Sequence, residues 1–169
     1  MEALRALVTR RESSHFKPSG VPEDVQEDLL RAAMSAPTEE QKPWHFVLLS
    51  DEKALKDLTI LVHERDTVQM APLAIVICAD EMEQASMAHW AIDCAAASEN
   101  LVVAAHAKGL GSTWVRIFPS KERMRTVGEL LGVPDHVTPF AAIFVGRPKT
   151  PLSKRAAALE TDRIRLESW

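Results

Sequence analysis

Apolar residues recur along this chain at two spacings, which together predict helices and strands in alternation. Helical spacing with acids or proline near the start marks five segments, and short apolar runs mark four more. Helices are predicted over residues 1–10, 19–36, 51–65, 86–108 and 120–132, and strands over residues 44–50, 72–80, 112–118 and 139–148. Pro22 is expected inside the first turn of the second helix, and Pro37 ends that helix.

Two of these elements carry the strongest signal. The run over residues 72–80 is continuously apolar, which predicts a strand covered on both faces. The helix over residues 86–108 is apolar on most sides, so we expect it at the centre of the fold, ending at Gly109 in a left-handed cap. The order of elements is that of an α/β layer architecture within one domain, residues 1–169.

Composition and charge exclude several classes of protein. A net charge of −4 and a pI near 5.9 give no basic face, so no nucleic-acid partner is expected. The apolar runs are interrupted by charged residues and the first ten residues read as neither a signal peptide nor an anchor, so we expect no membrane partner and a cytoplasmic location. Cys78 and Cys94 stand in no zinc or redox spacing and are interpreted as reduced, buried thiols.

Most side chains with catalytic potential have a simpler explanation. There is no GxGxxG after a strand, no P-loop and no GxSxG around any serine. His89 and Asp93 are spaced to share a helix face, but two residues do not make a metal site. His106, near the end of the long helix, is interpreted as a charge that complements the helix dipole. The acids Glu39 and Glu40 are interpreted as solvated.

Three segments remain open at this level. Arg10–Arg11 and Lys154–Arg155 are either solvated surface or the charged groups that a phosphate monoester needs. The stretch APTEEQKPWHF, residues 36–46, is either a turn in which Trp44 opens the next strand or one wall of a ligand site held rigid by proline.

The motifs of this chain, in their order and spacing, resemble the FMN-dependent nitroreductase family over nearly the whole sequence. They are RRESSHF at residues 10–16, APTEEQKPWHF at 36–46, APLAIVICAD at 71–80, SENLVVAAHAKGLGSTWV at 98–115, and LLGVPDHVTPFAAIFVGRP at 130–148 followed by a basic pair. The resemblance favours the ligand-site interpretation of residues 36–46. No single motif is decisive, and an unrelated α/β domain would need their order to be chance.

The resemblance implies an α+β fold, a three-layer sandwich whose mixed or antiparallel sheet is flanked by helices, in an intertwined homodimer. It implies one FMN in each of two clefts at the subunit interface, with NAD(P)H as hydride donor. Electron-poor small molecules such as nitroaromatics and quinones are the implied acceptors, reduced in turn through flavin N5. The tail, about residues 149–169, is expected to pack on the partner subunit. Because the flavin carries the chemistry, the resemblance implies no catalytic side chain and no metal in the protein.

Carried over by motif, the cofactor-binding residues fall into three groups. Arg10, Arg11, Lys154 and Arg155 correspond to phosphate and ribityl contacts; Pro37, Thr38 and Gln41 to a loop along the flavin; Trp114 and Val115 to the segment near the flavin ring. This sequence departs from the family pattern at four places. Glu12 replaces a serine, Ser14 replaces an arginine, and Arg116 replaces a small residue. The loop along the flavin is one residue shorter, so Gln41 corresponds to either the Asn or the Gln of the family pattern. Glu12 and Ser14 favour an alternative, a flavin-poor or non-catalytic binding or regulatory protein.

Overall fold

The computed structural model describes residues 2–38, 41–62, 68–84, 86–152 and 156–169, and its elements follow the predicted order. The helices are α1 (Ala3–Thr9), α2 (Glu23–Met34), α3 (Glu52–Leu61), α4 (Met87–Ala107) and α5 (Lys121–Leu131), and the strands are β1 (Trp44–Leu49), β2 (Leu73–Asp80), β3 (Gly111–Arg116) and β4 (Val137–Gly146). A short 3-10 turn, Thr161–Arg163, lies in the tail.

The four strands form one antiparallel sheet with the order β1-β2-β4-β3. Helices α2 and α4 cover one face, where Leu29 and Leu101 are fully buried. Helices α3 and α5 cover the other face, where Leu58 and Val127 are fully buried. These three layers confirm the predicted α+β sandwich, and the sheet in the described residues is antiparallel rather than mixed.

Strand β2 occupies the interior of the sheet, as its continuous apolar run predicts. It pairs with β1 on one side and β4 on the other, and its residues Leu73 to Ala79 are buried. Alternate residues enter opposite cores: Ile75 packs on the α2 and α4 side and Val76 on the α3 and α5 side. A strand that contributes to two cores needs apolar residues at every position. This explains why apolar and polar residues do not alternate along β2.

The ends of the helices largely follow the signals in the sequence. Asp51 caps α3 by accepting a hydrogen bond from the Ala54 N–H at 2.9 Å. Gly109 has φ +76° just after α4, where the Gly109 and Leu110 N–H groups donate to the carbonyls of His106 and Ala105 at 2.9 Å. This confirms the left-handed ending predicted for the long helix.

The structure corrects the predicted start of α2 and the predicted end of α3. Pro22 is the N-cap of α2 rather than a first-turn residue: its φ of −57° and ψ of 148° are not helical, and its carbonyl accepts the first helical hydrogen bond. Helix α3 ends at Leu61, before Arg65, which lies outside the described residues. The chain turns at Val62, whose side chain is fully buried in the core on that face.

The long helix α4 is less enclosed than its apolar sequence predicts. Cys94, Ala97 and Leu101 are buried against the sheet, whereas Met87 and Ile92 lie on an exposed side. Cys94, like Cys78 on β2, is a free and buried thiol, as interpreted from the sequence. Helix α4 therefore leaves apolar side chains on the surface of a single protomer.

Candidate functional site

The segment from Arg10 to Phe16, called the arginine strap below, leaves α1 and runs beside strand β3. Arg10 has φ −54° and ψ 135°, which ends the helical path of the chain. The Ser13 N–H donates to the Ser112 carbonyl at 3.0 Å, and the Thr113 hydroxyl donates to the Ser13 carbonyl at 2.6 Å. The structure thus brings two motifs about a hundred residues apart, the basic pair and β3, to the same place.

Backbone hydrogen bonds hold the far end of the strap. The Gln69 N–H donates to the Ser14 carbonyl at 2.8 Å, and the Phe16 N–H donates back to the Gln69 carbonyl at 3.1 Å. The Lys149 N–H donates to the His15 carbonyl at 2.9 Å, and the Phe16 side chain is buried in the core. The strap is therefore fixed at both ends, mostly through groups that every residue type possesses.

The C-terminal basic pair is flanked by residues bound to this same region. Lys149 is bonded to the strap, and the Ala157 N–H donates to the Val8 carbonyl, near the end of α1, at 2.8 Å. Lys154 and Arg155 lie between these two anchors but outside the described residues. Their predicted role at a phosphate stays a prediction.

Charged side chains of the strap are only partly engaged. The Arg10 Nε lies 3.4 Å from the Glu99 carboxylate of α4, and both side chains keep about a third or more of their surface exposed. The Arg11 guanidinium donates to the Arg10 carbonyl at 2.6 Å. The carboxylate of Glu12 is exposed and makes no ion pair with any residue that the structure describes. A cationic pair and a solvated anion thus sit side by side.

Gly111 allows the strap to lie this close to β3. A Cβ atom at this position would stand 2.5 Å from the Ser13 Cβ, 3.0 Å from the Ser13 Oγ and 3.4 Å from the Pro148 Cβ. Any side chain here would push the strap away from the strand. Gly109 is explained by the end of α4 alone, whereas the role of Gly111 depends on a contact with Ser13 that sequence periodicity does not report.

Strand β3 presents its predicted site residues to different surroundings. Trp114 packs on the α2 and α4 core, and its indole Nε1 is buried without a hydrogen-bond partner among the described residues. Val115 is buried in the opposite core, and because it alternates with Ser112, Trp114 and Arg116 its backbone groups face β4. Arg116 is exposed. A buried donor without a partner is uncommon in folded proteins, which makes Trp114 a position to consider for ligand binding.

Backbone groups along the outer edge of β3 point towards the same region. The Ser112 carbonyl accepts from the strap, so the backbone of Ser112 points away from β4. Backbone N–H and C=O groups of successive residues in a strand point to alternate sides, so those of Trp114 and Arg116 point away from β4 as well. The Arg116 carbonyl agrees, since it accepts from the Arg123 guanidinium at 2.9 Å.

The third group of predicted site residues lies in the loop between α2 and β1, residues 35–43. Pro37 and Gln41 are exposed and Thr38 is half-buried, while Trp44 is buried at the start of β1. Glu39 and Glu40 lie outside the described residues. No hydrogen bond or ion pair joins the described part of this loop to the arginine strap. Within one protomer the described residues therefore show no direct polar contact between this loop and the strap.

His106 does not act as the charged helix cap that the sequence suggests. It is buried, and its Nε2 lies 3.0 Å from the Thr9 hydroxyl at the end of α1. Burial, and then the charges of Arg10 and Arg11, lower the pKa of this histidine, which favours its neutral form. Glu99 and His106 are seven residues apart, a spacing that places both on one helix face, and this is the only signal in the sequence that links them.

The described part of the chain offers neither a metal site nor a membrane-spanning helix. It contains no cluster of three or more metal-ligating side chains arranged to hold a metal ion. None of its helices combines the length and the apolar character needed to cross a bilayer.

Comparison with known proteins places this geometry in context. The model of the Nitroreductase family matches residues 7–68 and 61–147. A protein of Methanothermobacter thermautotrophicus with the provisional name NADH dehydrogenase/NAD(P)H nitroreductase is 34% identical, over 100% of this chain and 88% of its own length.

Solved structures show the same fold. A structure from Clostridium acetobutylicum, provisionally named an NADH oxidase, has a TM-score of 0.91 and 32% identity, covering 97% of this chain and 99% of its own. An FMN-dependent nitroreductase of Clostridium difficile has a TM-score of 0.88 and 24% identity, covering 98% and 99% of the two chains.

Proposed function

This chain belongs to the nitroreductase family, and from that premise we propose that it is an FMN-dependent oxidoreductase that uses NAD(P)H. The observation that carries the proposal is the arginine strap held against β3, beside a tryptophan with an unpaired buried N–H. A cationic pair suits a phosphate, and an open strand edge suits the polar rim of a flat heterocycle.

Arg10 and Arg11 are proposed to hold the cofactor phosphate, together with Lys154 and Arg155. Guanidinium groups bind phosphate through paired, charge-assisted hydrogen bonds. Support comes from the partial exposure of Arg10, which is paired only with Glu99 among the ion pairs the structure shows for it. The anchors on both sides of the C-terminal pair, at Lys149 and Ala157, support a shared site.

Residues of β3 are proposed to meet the flavin ring. The Trp114 indole N–H and the outward backbone N–H groups of Trp114 and Arg116 are donors suited to the nitrogen and oxygen atoms along a flavin edge. Val115, whose side chain is buried and whose backbone groups face β4, would offer the ring no hydrogen bond. Pro37, Thr38 and Gln41, which make no hydrogen bond or ion pair with the described residues of the strap, are proposed to reach the cofactor from the partner subunit.

Bound FMN would supply the redox chemistry, accepting hydride from NAD(P)H and passing electrons to nitroaromatics, quinones or similar electron-poor acceptors in a second half-reaction. The chain's own part is to bind and orient this group. Its strap anchors the phosphate end, and its strand edge supplies hydrogen-bond donors to the ring. Arg116, exposed where the family pattern has a small residue, would add a positive charge near the ring.

A homodimer is part of the proposal. Leu4 and Leu7 of α1 are 72% and 53% exposed, and Ile92 of α4 is 66% exposed, which is costly for a monomer. Trp169 at the end of the tail is fully exposed and contacts only the Arg165 guanidinium, 5.2 Å from its ring, among the ring contacts described. A second copy of the chain would cover these surfaces.

Deleting residues 160–169 tests the tail. If it packs on the partner subunit, the truncated protein should dimerise more weakly or melt at a lower temperature, because the tail's apolar side chains no longer cover the partner. Sedimentation over a concentration series checks this, with the full chain expected near twice 18.7 kDa. A full-length monomer at micromolar concentration would contradict the dimer, and unchanged association would exclude the tail from it.

The alternative is a flavin-poor or non-catalytic member of the family, and one observation favours it. The exposed carboxylate of Glu12 has no counter-ion among the described residues and adjoins the arginines proposed to bind phosphate. An anion in that position opposes a phosphate dianion and lowers its affinity.

The absorbance spectrum of the protein incubated with FMN and freed of unbound flavin distinguishes the two. The proposed enzyme should retain a flavin absorbance band in the blue and lose it anaerobically when NADH or NADPH is added. Reoxidation on adding a quinone or a nitroaromatic then identifies the acceptor class. A colourless protein, or bound flavin that neither nicotinamide reduces, would favour the non-catalytic alternative.

A further inference from the structure

Thr9 and His106 join the end of α1 to the end of α4. Both side chains are buried, and the Thr9 Oγ1 lies 3.0 Å from the His106 Nε2. Thr9 is the last residue of its helix, so the next two residues in the chain are Arg10 and Arg11. Whatever fixes Thr9 also fixes the place from which the arginine pair projects.

Proton counting gives the direction of this hydrogen bond. The Thr9 hydroxyl lies 2.6 Å from the Arg5 carbonyl, and because a carbonyl only accepts, the single hydroxyl proton lies between these two oxygens. The His106 Nε2 must then donate to Thr9. In the neutral ring this leaves a lone pair on Nδ1, which is buried and has no partner among the described residues.

The chain around Thr9 is held at two points on one face of α4. Glu99 pairs with Arg10 at 3.4 Å, and His106, two turns further along, bonds Thr9 at 3.0 Å. The first contact is partly exposed and can exchange for another anion, whereas the second is buried and remains when an anion takes Arg10 from Glu99. The buried contact is therefore the one that keeps the arginines in place when the site is filled.

We propose that His106 is a positioning residue for the cofactor phosphate: its bond to Thr9 fixes the point where the chain leaves α1 and so directs Arg10 and Arg11 towards the phosphate. The inference rests on the FMN function proposed above. The neutral state of the ring fits this role, because burial and the neighbouring arginines lower the pKa of His106 and a second N–H on Nδ1 would lack an acceptor.

The test compares FMN with riboflavin, which has the same ring and ribityl chain but no phosphate. The dissociation constant of each is measured by quenching of flavin fluorescence in the flavin-free protein. The variants are His106→Leu, which removes the donor; His106→Gln, which keeps an N–H near the position of Nε2; and Thr9→Val, which removes the hydroxyl at nearly constant shape. His136→Leu, at a half-exposed histidine before β4, is the control for the substitution itself.

We expect His106→Leu and Thr9→Val each to weaken FMN by about three- to tenfold, the loss of one buried neutral hydrogen bond, and to change riboflavin by less than about twofold. The double variant should be no weaker than either single one, since both remove the same bond. His106→Gln should restore most of the affinity for FMN. His136→Leu should leave both constants unchanged.

Equal losses for FMN and riboflavin would overturn the inference, because they would show a general structural role. Additive losses in the double variant, or parental affinities in Thr9→Val, would overturn it as well. If His106→Leu does not fold, Thr9→Val and His106→Gln still test the inference through the ratio of the FMN and riboflavin dissociation constants. If the parent protein binds riboflavin as tightly as FMN, the phosphate site of the proposed function is itself wrong, which is a separate outcome.

Discussion

Replacing Gly111 by alanine should move the arginine strap away from β3. The new Cβ would stand 2.5 Å from the Ser13 Cβ, whereas ordinary contact begins at 3.4 Å, so the strap must shift by about 0.9 Å. The hydrogen bond from Ser13 to Ser112, now 3.0 Å, and the one from Thr113 to Ser13, now 2.6 Å, both cross this gap. Both hydrogen bonds would lengthen, and the two arginines that precede Ser13 would move with the strap.

The expected cost is about 1–3 kcal/mol, that of an overpacked contact. For a chain of this length 1 kcal/mol shifts the melting temperature by roughly 2–4 °C, so a decrease between about 2 and 12 °C is expected. FMN affinity should fall by about tenfold or more, because charge-assisted hydrogen bonds depend steeply on geometry. Differential scanning fluorimetry and flavin fluorescence measure the two effects.

Two further variants make this prediction sharp. Gly20→Ala is the matched control, since a Cβ at Gly20 meets nothing within 4 Å, and it should change stability by less than about 0.5 kcal/mol. Ser13→Gly removes the atom with which the alanine collides, so the double variant Gly111→Ala, Ser13→Gly should recover much of the lost stability and affinity. This account of the contact would be refuted if Gly111→Ala changed stability and FMN affinity no more than the Gly20→Ala control does. It would also be refuted if the double variant recovered neither quantity.

Three further predictions concern charge and protonation. Arg10→Ala should raise the FMN dissociation constant about ten- to a hundredfold. Glu12→Ser should lower this constant, and the difference between the dissociation constants of the variant and the parent should become smaller as salt rises. Weaker binding of FMN by Glu12→Ser would instead indicate that the Glu12 carboxylate is a ligand of the ribityl chain. Burial raises the pKa of the Cys78 and Cys94 thiols to about 12, so neither should react with a thiol reagent at pH 8 until the protein unfolds, as a colorimetric time course would show. Because the pKa of His106 is lowered on folding, the unfolded chain takes up its proton first as pH falls below about 6.5, and stability should decline from there down to the lowered pKa. Urea unfolding at a series of pH values should show this decline in the parent and a flatter profile in His106→Gln.

The elements of this fold were readable from the sequence because each leaves a local signal. The run from Leu73 to Ala79 is apolar at every position because helices cover both faces of β2, and Gly109 ends α4 because only glycine adopts φ +76° without strain. The end of α3 was misplaced because no glycine or proline marks it. The helix gives way to a turn at Val62, whose side chain is fully buried in the core on that face.

The site was less readable, because its contacts join distant parts of the chain. Arg10 and Trp114 were found through resemblance to a family and not through periodicity. The contact of Ser13 with Gly111 and that of Thr9 with His106 leave no local trace. His106 was misread for this reason: at the end of a helix it suggests a charge, and only the packing of α1 over it makes it a buried neutral donor.

The way the strap is held also explains why this chain departs from the family pattern without losing the fold. Ser14 is bound through its carbonyl to the Gln69 N–H, and its neighbour Ser13 through backbone groups to β3. The side chain of Glu12 is exposed and supports neither contact. Substitutions at positions 12 and 14 therefore leave the path of the backbone unchanged and alter only the charge presented to a ligand. If the proposed function holds, substitutions at positions 12 and 14 should change cofactor affinity with little effect on stability, whereas a substitution at Gly111, whose contact sets the path itself, should change both.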